Sequence, residues 1–260
     1  MNIYIDKDNK VLGQSAGNLA GDLIVESIQS KGTANILVAT GASQFETLNQ
    51  LINRKDIEWS KVVLFHLDEY INLSAIHPAS FRKYITERLL QNIPPVKQAY
   101  LINGENDPEE ECKRLAALIS DHPIDVALIG IGENCHLAFN DPPADFDTTD
   151  PYIITLLDNA CKMQQVNEGW FEGPSDVPPT AISISVKQLL RAAHIICSVP
   201  DLRKAQAVKD TLERPMSNVY PASILRSHVN CHLFLDKASA SWLTYPASYY
   251  EKQTAEEKIA

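Results

Sequence analysis

Short runs of consecutive apolar residues recur along the chain, separated by stretches in which apolar residues return every three or four positions. Continuous apolar runs are typical of strands covered on both faces, as in a parallel sheet, and the longer spacing is typical of amphipathic helices. Six such runs predict strands at Ile36–Thr40, Val62–Asp68, Val126–Gly132, Ala181–Ser185, His194–Val199 and Cys231–Asp236.

Three of the intervening stretches carry helix start signals. Ser43 and Glu46 match a capping box, Asp107 precedes a proline suited to the first helical position, and Asp201 precedes a third amphipathic stretch. Strands that alternate with helices predict an α/β fold, a mostly parallel sheet with helices on both faces in a Rossmann-like three-layer arrangement.

The domain organisation is predicted to be simple. No internal repeat or low-complexity linker interrupts the chain, and the proline-rich segment 173–179 is expected to be a long loop. We therefore expect a single domain over residues 1–260.

Composition narrows the class of protein. The formal net charge of -10 argues against a nucleic-acid partner, although a small anion needs only a local positive patch. The five cysteines form no CxxC pair and are expected to be reduced. Without a signal-like N-terminus or an apolar run of membrane length, no membrane partner and a cytoplasmic location are expected. A homo-oligomer is compatible with the sequence but is not predicted by it.

Ligands of open α/β sheets bind beyond the carboxyl ends of the strands, and four chemically unusual segments fall there. The first is Thr40, Gly41, Ala42 and Ser43, a turn of small residues between a strand and a helix. Such a turn lets an anion reach backbone N–H groups at a helix start, but it is also compatible with an ordinary tight turn.

The second segment ends a strand with two adjacent carboxylates, Asp68 and Glu69. Partly apolar surroundings raise the pKa of a carboxyl group and suit it to proton transfer, although acidic residues also end strands without any function. Because strand side chains alternate, Asp68 shares a face with His66, so Asp68 is the better candidate base and Glu69 the better structural partner.

The third segment, Gly130–Pro143, is a glycine-rich loop that contains Asn134, His136 and Asp141. An imidazole beside an amide and a carboxylate can be held in one tautomer and used as a proton shuttle. In the fourth segment, Lys204 and Arg203 lie in the first turn of a helix, where a bound anion would offset their conflict with the helix dipole.

Other chemistries are less well supported. Cys135 lies beside His136, but no cysteine-protease signature surrounds it. His66, His77 and His136 lack the spacing of a helical zinc site, so no metal is expected. No GxGxxG or P-loop motif is present, and no cofactor is predicted.

These segments together resemble the glucosamine-6-phosphate isomerase/deaminase family, whose fold is shared with 6-phosphogluconolactonases. Leu67–Tyr70 matches the motif LDEY, and Gly130–Pro142 is similar to GxGxDGHIAFNEP. Weaker matches are Thr40–Ser43 to a TGGTP-like phosphate loop, His77–Ser80 to HPxS, and Lys204 with Ala205 to a late KA pair.

The resemblance implies an aldose–ketose isomerisation coupled to loss of ammonia, from glucosamine 6-phosphate to fructose 6-phosphate, without a cofactor. It implies that His136 assists ring opening, that Asp68 moves a proton between C2 and C1, and that Asp141 supports the histidine. The substrate would contact Glu69, with its phosphate on the Thr40–Ser43 loop and Lys204.

Four departures from the family pattern accompany the resemblance. Asn134 replaces an aspartate, Cys135 replaces a glycine, Asp141 replaces a glutamate, and Gly169 stands where the family has a phosphate-binding arginine. Lys162 and Arg203 are candidate substitutes for that arginine. The pattern indicates a divergent branch and leaves two alternatives open, a 6-phosphogluconolactonase-like hydrolase and a non-catalytic sugar-phosphate-binding regulator.

Overall fold

The computed structural model describes residues 1–250, in which ten strands form a seven-stranded and a three-stranded sheet. The strands are β1 (Asn2–Asp6), β2 (Ala34–Val38), β3 (Val62–His66), β4 (Asp68–Tyr70), β5 (Gln98–Tyr100), β6 (Val126–Ile129), β7 (Tyr152–Leu156), β8 (Thr180–Ile184), β9 (His194–Val199) and β10 (Cys231–Asp236). The α-helices are α1 (Asn9–Lys31), α2 (Phe45–Asn53), α3 (Phe81–Arg88), α4 (Pro108–Ser120), α5 (Asn159–Asn167), α6 (Val186–Leu189) and α7 (Ala205–Glu213).

The large sheet is parallel throughout and has the order β1-β10-β9-β6-β2-β3-β5. From β2 the chain moves to β3 and β5 on one side, and from β6 it moves to β9 and β10 on the other. The strand order therefore reverses between β2 and β6. Such a reversal opens a crevice at the carboxyl ends of the two strands, where open α/β sheets bind ligands.

Apolar side chains from the large sheet fill two cores, one on each face. On one face, alternate residues such as Ile36 and Leu64 pack with α1, α2 and α3. On the other face, residues such as Leu37 and Phe65 pack with α4 and α7. The predicted α/β fold, with a mostly parallel sheet and helices on both faces, is therefore confirmed.

Helix α1 approaches α2 very closely through a row of glycines. A Cβ atom at Gly13 would lie 2.2 Å from the Cβ of Glu46, and one at Gly17 would lie 2.6 Å from the Cβ of Gln50. Real Cβ atoms do not approach other atoms so closely, so these positions require glycine. The close packing fixes the start of α2 beside the crevice.

Two of the three predicted helix start signals are present in the structure, and the third is not. Asp107 caps α4 by accepting the N–H groups of Glu109 and Glu110, and Asp201 caps the turn that leads into α7. The capping box is wrong, because Ser43 lies within a 3₁₀ turn, Ala42–Gln44, that precedes α2 and makes no side-chain cap. The backbone adopts a tighter turn here because Gly41 takes φ +91°.

The small sheet was not foreseen. The predicted strand Val62–Asp68 is interrupted at Leu67, after which β4 joins an antiparallel sheet of order β4-β8-β7. The predicted strand Ala181–Ser185 is β8, the centre of this sheet, and not part of the parallel one. An apolar run indicates that a strand is buried on both faces, but it does not indicate whether the neighbouring strands are parallel or antiparallel.

The remaining organisational predictions concern loops and domains. Segment 173–179 contains neither strand nor helix, as expected. The single domain over residues 1–260 stays a prediction, and residues 251–260 lie outside the described range. None of the helices formed by residues 1–250 has the length and apolarity needed to span a membrane.

Candidate functional site

A cleft lies at the carboxyl edge of β2 and β6, where the strand order reverses. Seven of the ten site residues predicted from the sequence line it together: Thr40, Gly41, Ala42, Ser43, Asp68, His136 and Lys204. Glu69, Asn134 and Asp141 lie outside the lining, in supporting positions described below. Loops that follow separate strands thus bring a carboxylate, an imidazole and an ammonium group to one cavity.

The loop between β2 and α2 forms one wall of the cleft. The hydroxyl of Tyr84 donates a hydrogen bond to the carbonyl oxygen of Gly41, at 2.9 Å, which ties the loop to α3. The buried amide of Gln44 donates to the Ser43 hydroxyl, at 3.1 Å, and to the carbonyl of Ile129, at 2.9 Å. The amide fastens the loop to the end of β6, so the wall is held from two sides.

Asp68 is 6% exposed and opens only toward the cleft. Its carboxylate makes no hydrogen bond with any of the described residues. Burial, followed by repulsion from Glu69, raises the pKa of Asp68 to about 8. A carboxyl group with such a pKa can both accept and return a proton near neutral pH.

Glu69 is fully buried and is held entirely by protein groups. It accepts hydrogen bonds from the Ser80 hydroxyl and from the backbone N–H groups of Tyr70, Phe81 and Arg82. These contacts join β4 to the first turn of α3, which Ser80 caps. The predicted substrate contact of Glu69 is not supported by this placement, since the side chain has no face on the cleft.

His136 lies over Gly132 in the loop that follows β6. A Cβ atom at Gly132 would lie only 2.2–2.3 Å from the ring atoms Cε1, Nδ1 and Nε2 of His136. The Gly132 N–H donates to the His136 carbonyl, at 3.0 Å, which closes the loop around the ring. Gly132 is therefore needed to leave room for the imidazole.

Asp141 supports His136 from behind. Its Oδ1 atom lies 3.2 Å from Nδ1 of His136. Burial by itself would raise the pKa of Asp141, but His136, the Asp158 N–H and the Asn134 amide together hold it below its usual range. Asp141 is therefore an anionic support for the imidazole.

Asn134 does not contact the imidazole ring. Its Nδ2 atom donates to Asp141 at 3.0 Å and to Asp158 at 3.1 Å, and its Oδ1 accepts the backbone N–H of His136 at 3.2 Å. The residue was predicted as catalytic, and the structure instead places it in the network that positions Asp141.

Cys135 occupies a backbone conformation that favours glycine, with φ +71°. A non-glycine residue in this region costs about 1–2 kcal/mol. The thiol is buried against α7, where it donates to the Ala207 carbonyl at 3.2 Å, and burial raises the pKa of Cys135 to about 11. A protonated thiol that faces the core does not act as a nucleophile toward the cleft.

Lys204 is 5% exposed, and its side chain reaches the cleft from the turn before α7. Burial lowers the pKa of its ammonium, while the nearby carboxylates of Glu168 and Glu133 act in the opposite direction. No hydrogen bond or ion pair joins this ammonium to a described residue. A buried cation without a close partner is expected to bind an anion.

Neither candidate substitute for the missing arginine lines the cleft. Arg203 is half exposed and is held by Asp201, whose Oδ2 lies 3.0 Å from its Nη2. Lys162 lies on α5 away from the cavity. Gly169, at the arginine's position, is exposed with φ +81°. Lys204 is therefore the cation that the described residues supply to the cleft.

Three polar cleft residues were not predicted from the sequence: Gln164, Gln165 and Glu168 at the end of α5. Gln164 accepts the Glu133 N–H at 2.8 Å and donates to Glu168 at 2.9 Å. Glu168 also accepts the indole N–H of Trp170, and its Oε2 would lie 3.9 Å from a Cβ at Gly41. The fold class predicts ligand contacts at the carboxyl ends of strands. These residues were not predicted because they come from the end of a helix.

The two other histidines considered as metal ligands, His66 and His77, lie outside the cleft lining. His66 is fully buried, accepts the Ile102 N–H at 3.3 Å and does not line the cleft, and burial lowers its pKa to about 3. His77 accepts the Ala79 N–H at 3.1 Å and stacks on Phe171.

One group of described residues has atoms close enough to hold a metal ion, namely His136, Asp141 and Cys161, within 4.8 Å of one another. Burial raises the pKa of the Cys161 thiol far above its usual value, and the carboxylates of Asp141 and Asp158 add to this effect. Both oxygens of Asp141 already accept hydrogen bonds. A thiol that stays protonated and a carboxylate whose oxygens already accept hydrogen bonds make this donor set a poor fit for a metal ion.

Comparisons with known proteins agree with this geometry. The sequence model of "Glucosamine-6-phosphate isomerases/6-phosphogluconolactonase" matches residues 7–233. A glucosamine-6-phosphate deaminase of Listeria monocytogenes serotype 4a (strain HCC23) is 35% identical over 240 residues, which cover 92% of this chain and 99% of that one. One from Lactobacillus delbrueckii subsp. bulgaricus (strain ATCC BAA-365 / Lb-18) is 31% identical over 244 residues, covering 94% and 100%.

Solved structures show the same fold. A monomeric glucosamine-6-phosphate deaminase superposes with a TM-score of 0.85 at 28% identity, covering 93% of this chain and 100% of that one. A 6-phosphogluconolactonase from Trypanosoma brucei superposes with a TM-score of 0.76 at 16% identity, covering 92% and 97%. The chain belongs to the glucosamine-6-phosphate isomerase/6-phosphogluconolactonase family.

Proposed function

We propose that this protein is a glucosamine-6-phosphate deaminase, an enzyme that converts glucosamine 6-phosphate and water to fructose 6-phosphate and ammonia. The observation that carries the proposal is the shared cleft, in which Asp68, His136, Lys204 and the Thr40–Ser43 loop meet. The relatives at 31–35% identity over nearly the whole chain are named for this reaction.

The reaction needs two kinds of proton transfer. In the first, a group beside the sugar ring moves a proton between the O1 hydroxyl and the ring oxygen, so that the ring C–O bond breaks and an aldehyde forms. We assign this step to His136, because Asp141 holds Nδ1 at 3.2 Å and the other ring nitrogen remains for the substrate.

In the second transfer, a base removes the proton from C2 of the open amino aldehyde and returns it to C1. The electron pair moves through the enolamine, and the product is the C2 imine of the ketose. Water then adds to the imine carbon, and ammonia leaves. We assign the carrier of the C2 proton to Asp68, whose raised pKa suits both acceptance and return.

The phosphate is proposed to lie at the other end of the cleft. Lys204 is a buried cation without a close partner there, and Gly41 and Ala42 leave the backbone of the loop open to an anion. Since a phosphorylated sugar does not cross a bilayer unaided, we propose that the enzyme acts in the cytoplasm.

The direct test is incubation of the protein with glucosamine 6-phosphate, with separate measurement of ammonium and fructose 6-phosphate. We expect the two products in equal amounts. A parallel assay supplies 6-phosphogluconolactone. Lactone hydrolysis without ammonium release would favour the lactonase alternative, and tight binding of hexose phosphates without turnover of either would favour the regulator.

Lys204 and Glu168 are expected to act in opposite directions on phosphate binding. Lys204→Gln removes the cation of the cleft, so KM should rise about 30-fold, since a hydrogen bond to a charged group contributes about 1.5–3 kcal/mol. Glu168→Gln removes a carboxylate from beside Gly41, so KM should fall. Steady-state kinetics at several concentrations of glucosamine 6-phosphate measure both.

Binding of inorganic phosphate by calorimetry provides the control for this pair, because it has no sugar to contribute other contacts. Lys204→Gln should weaken phosphate binding and Glu168→Gln should strengthen it. Equal KM values for Lys204→Gln and the unaltered protein would place the phosphate elsewhere.

A further inference from the structure

Asn134 is bonded to two carboxylates at once. Its Nδ2 atom donates one hydrogen to Asp141 and the other to Asp158, at 3.0 and 3.1 Å. An aspartate at this position has no hydrogen to donate. The amide is therefore not a weakened version of a carboxylate, because it makes two contacts that a carboxylate cannot make.

Asp158 connects α5 to the same network. Its Oδ1 atom caps α5 by accepting the N–H of Cys161 at 2.6 Å, and its own N–H donates to Oδ2 of Asp141 at 3.0 Å. Asp141 is thus held by Asn134 on one oxygen and by the Asp158 backbone on the other. The helix that follows brings Gln164 and Glu168 to the cleft.

The Asn134 amide is neutral and adds no charge to this network. Asp141 and Asp158 are two carboxylates bridged by one side chain that donates to both. An aspartate at position 134 would bring a third carboxylate within about 3 Å of each. Like charges at such distances cannot all remain ionised, so one would take up a proton or the loop would move.

We propose that Asn134 and Asp158 are a matched pair of positioning residues: the Asp158 carboxylate orients the Asn134 amide, and that amide together with the Asp158 backbone N–H holds Asp141 against His136. The expected changes in kcat rest on the proposed function. The hydrogen bonds that join Asn134, Asp141 and Asp158 do not depend on it. The two donated hydrogen bonds give a structural reason for an amide at position 134.

Two single substitutions should unbalance the pair. Asn134→Asp, which introduces the family's residue, is expected to lower kcat about 30-fold with KM within a factor of three, because Asp141 loses the hydrogen bond to its Oδ1 atom and faces a third carboxylate. Asp158→Asn is expected to lower kcat about fivefold, because two amides then face each other. A rise in kcat for Asn134→Asp would overturn the proposal.

The exchange variant Asn134→Asp with Asp158→Asn is the sharper test. It again pairs one amide with one carboxylate and removes the third negative charge, so kcat should recover about fivefold over Asn134→Asp alone, and the remaining loss reflects the hydrogen bond from residue 134 that Asp141 still lacks. Asp145→Asn, an exposed carboxylate outside the cleft, is the matched control and should leave kcat unchanged. A double variant that is no more active than Asn134→Asp would contradict the proposed pairing.

Two measurements that need no turnover separate this proposal from the proposed function. The midpoint of thermal unfolding should fall in Asn134→Asp and recover in the exchange variant. The ¹⁵N resonance of His136 Nδ1 reports its contact with Asp141 and should follow the same pattern. If the unaltered protein releases no ammonium but both measurements change in Asn134→Asp and recover in the exchange variant, the proposed function is wrong and the proposed pairing is supported. If neither the unfolding midpoint nor the ¹⁵N resonance recovers in the exchange variant, the proposed pairing is wrong, whether or not the protein is active.

Discussion

Asp68→Asn is expected to lower kcat about a thousandfold while KM stays within a factor of three. General acid–base groups contribute about 10²–10⁴ to the rate, and they do so in the transition state rather than in ground-state binding. The cleft geometry sharpens the expectation, because Asp68 is the carboxylate there without a hydrogen bond to a described residue. Single-turnover measurements with C2-deuterated substrate should show that proton removal has become rate-limiting.

The pH dependence of the unaltered protein follows from the same carboxyl group. The base form of Asp68 appears as pH rises through its pKa of about 8, so kcat/KM should increase across that range. Because this folded-state pKa lies above the usual 3.8, Asp68 contributes stability that is full below pH 3.8 and is lost as pH rises through about 8. The stability of Asp68→Asn should lack this decline.

Asp121→Asn is the matched control, since Asp121 is exposed at the end of α4 and outside the cleft. It should leave both the rate and its pH profile unchanged. If Asp68→Asn kept more than a tenth of the activity, the proton carrier would have to be sought elsewhere. Thermal unfolding of the variant at pH 9 guards against misfolding, because removal of a buried charge should not lower its stability.

Much of the fold could be predicted because the five central strands of the large sheet, β2, β3, β6, β9 and β10, are largely buried on both faces. Runs such as Val126–Gly132 have no polar face and are typical of parallel strands. The small sheet was missed because β4 has only three residues and follows β3 after a single residue, Leu67. A break of one residue within an apolar run leaves no signal in hydrophobic periodicity.

The site residues that could be predicted are those in the segments that follow a strand. Asp68 and His136 follow β3 and β6 closely, and parallel strands place such residues at one edge. Glu168 was not predictable by that rule, because the orientation of α5 decides that its last turn reaches the cleft. Asp158 was not predicted, because Asn134, the side chain that donates to it, is 24 residues away along the chain.

Gly132→Ala is expected to lower kcat about a hundredfold although no catalytic group is changed. The added Cβ would lie 2.2–2.3 Å from three ring atoms of His136, so the ring has to move by about 1 Å or more to reach ordinary contact. A displacement of this size can cost about 10² in rate. Since φ at Gly132 is not positive, the backbone itself tolerates alanine, and the effect should come from the ring alone.

Gly173→Ala is the matched control, because its added Cβ would make only an ordinary contact with Asp176, at 3.5 Å, and its φ is not positive either. It should leave kcat unchanged. The decisive comparison uses His136→Ala, which removes the ring. Gly132→Ala should lower the midpoint of thermal unfolding in the unaltered protein but not in the His136→Ala background. If the loss were the same in both backgrounds, the glycine would serve the backbone of the loop, and the imidazole would owe its position to Asp141 alone.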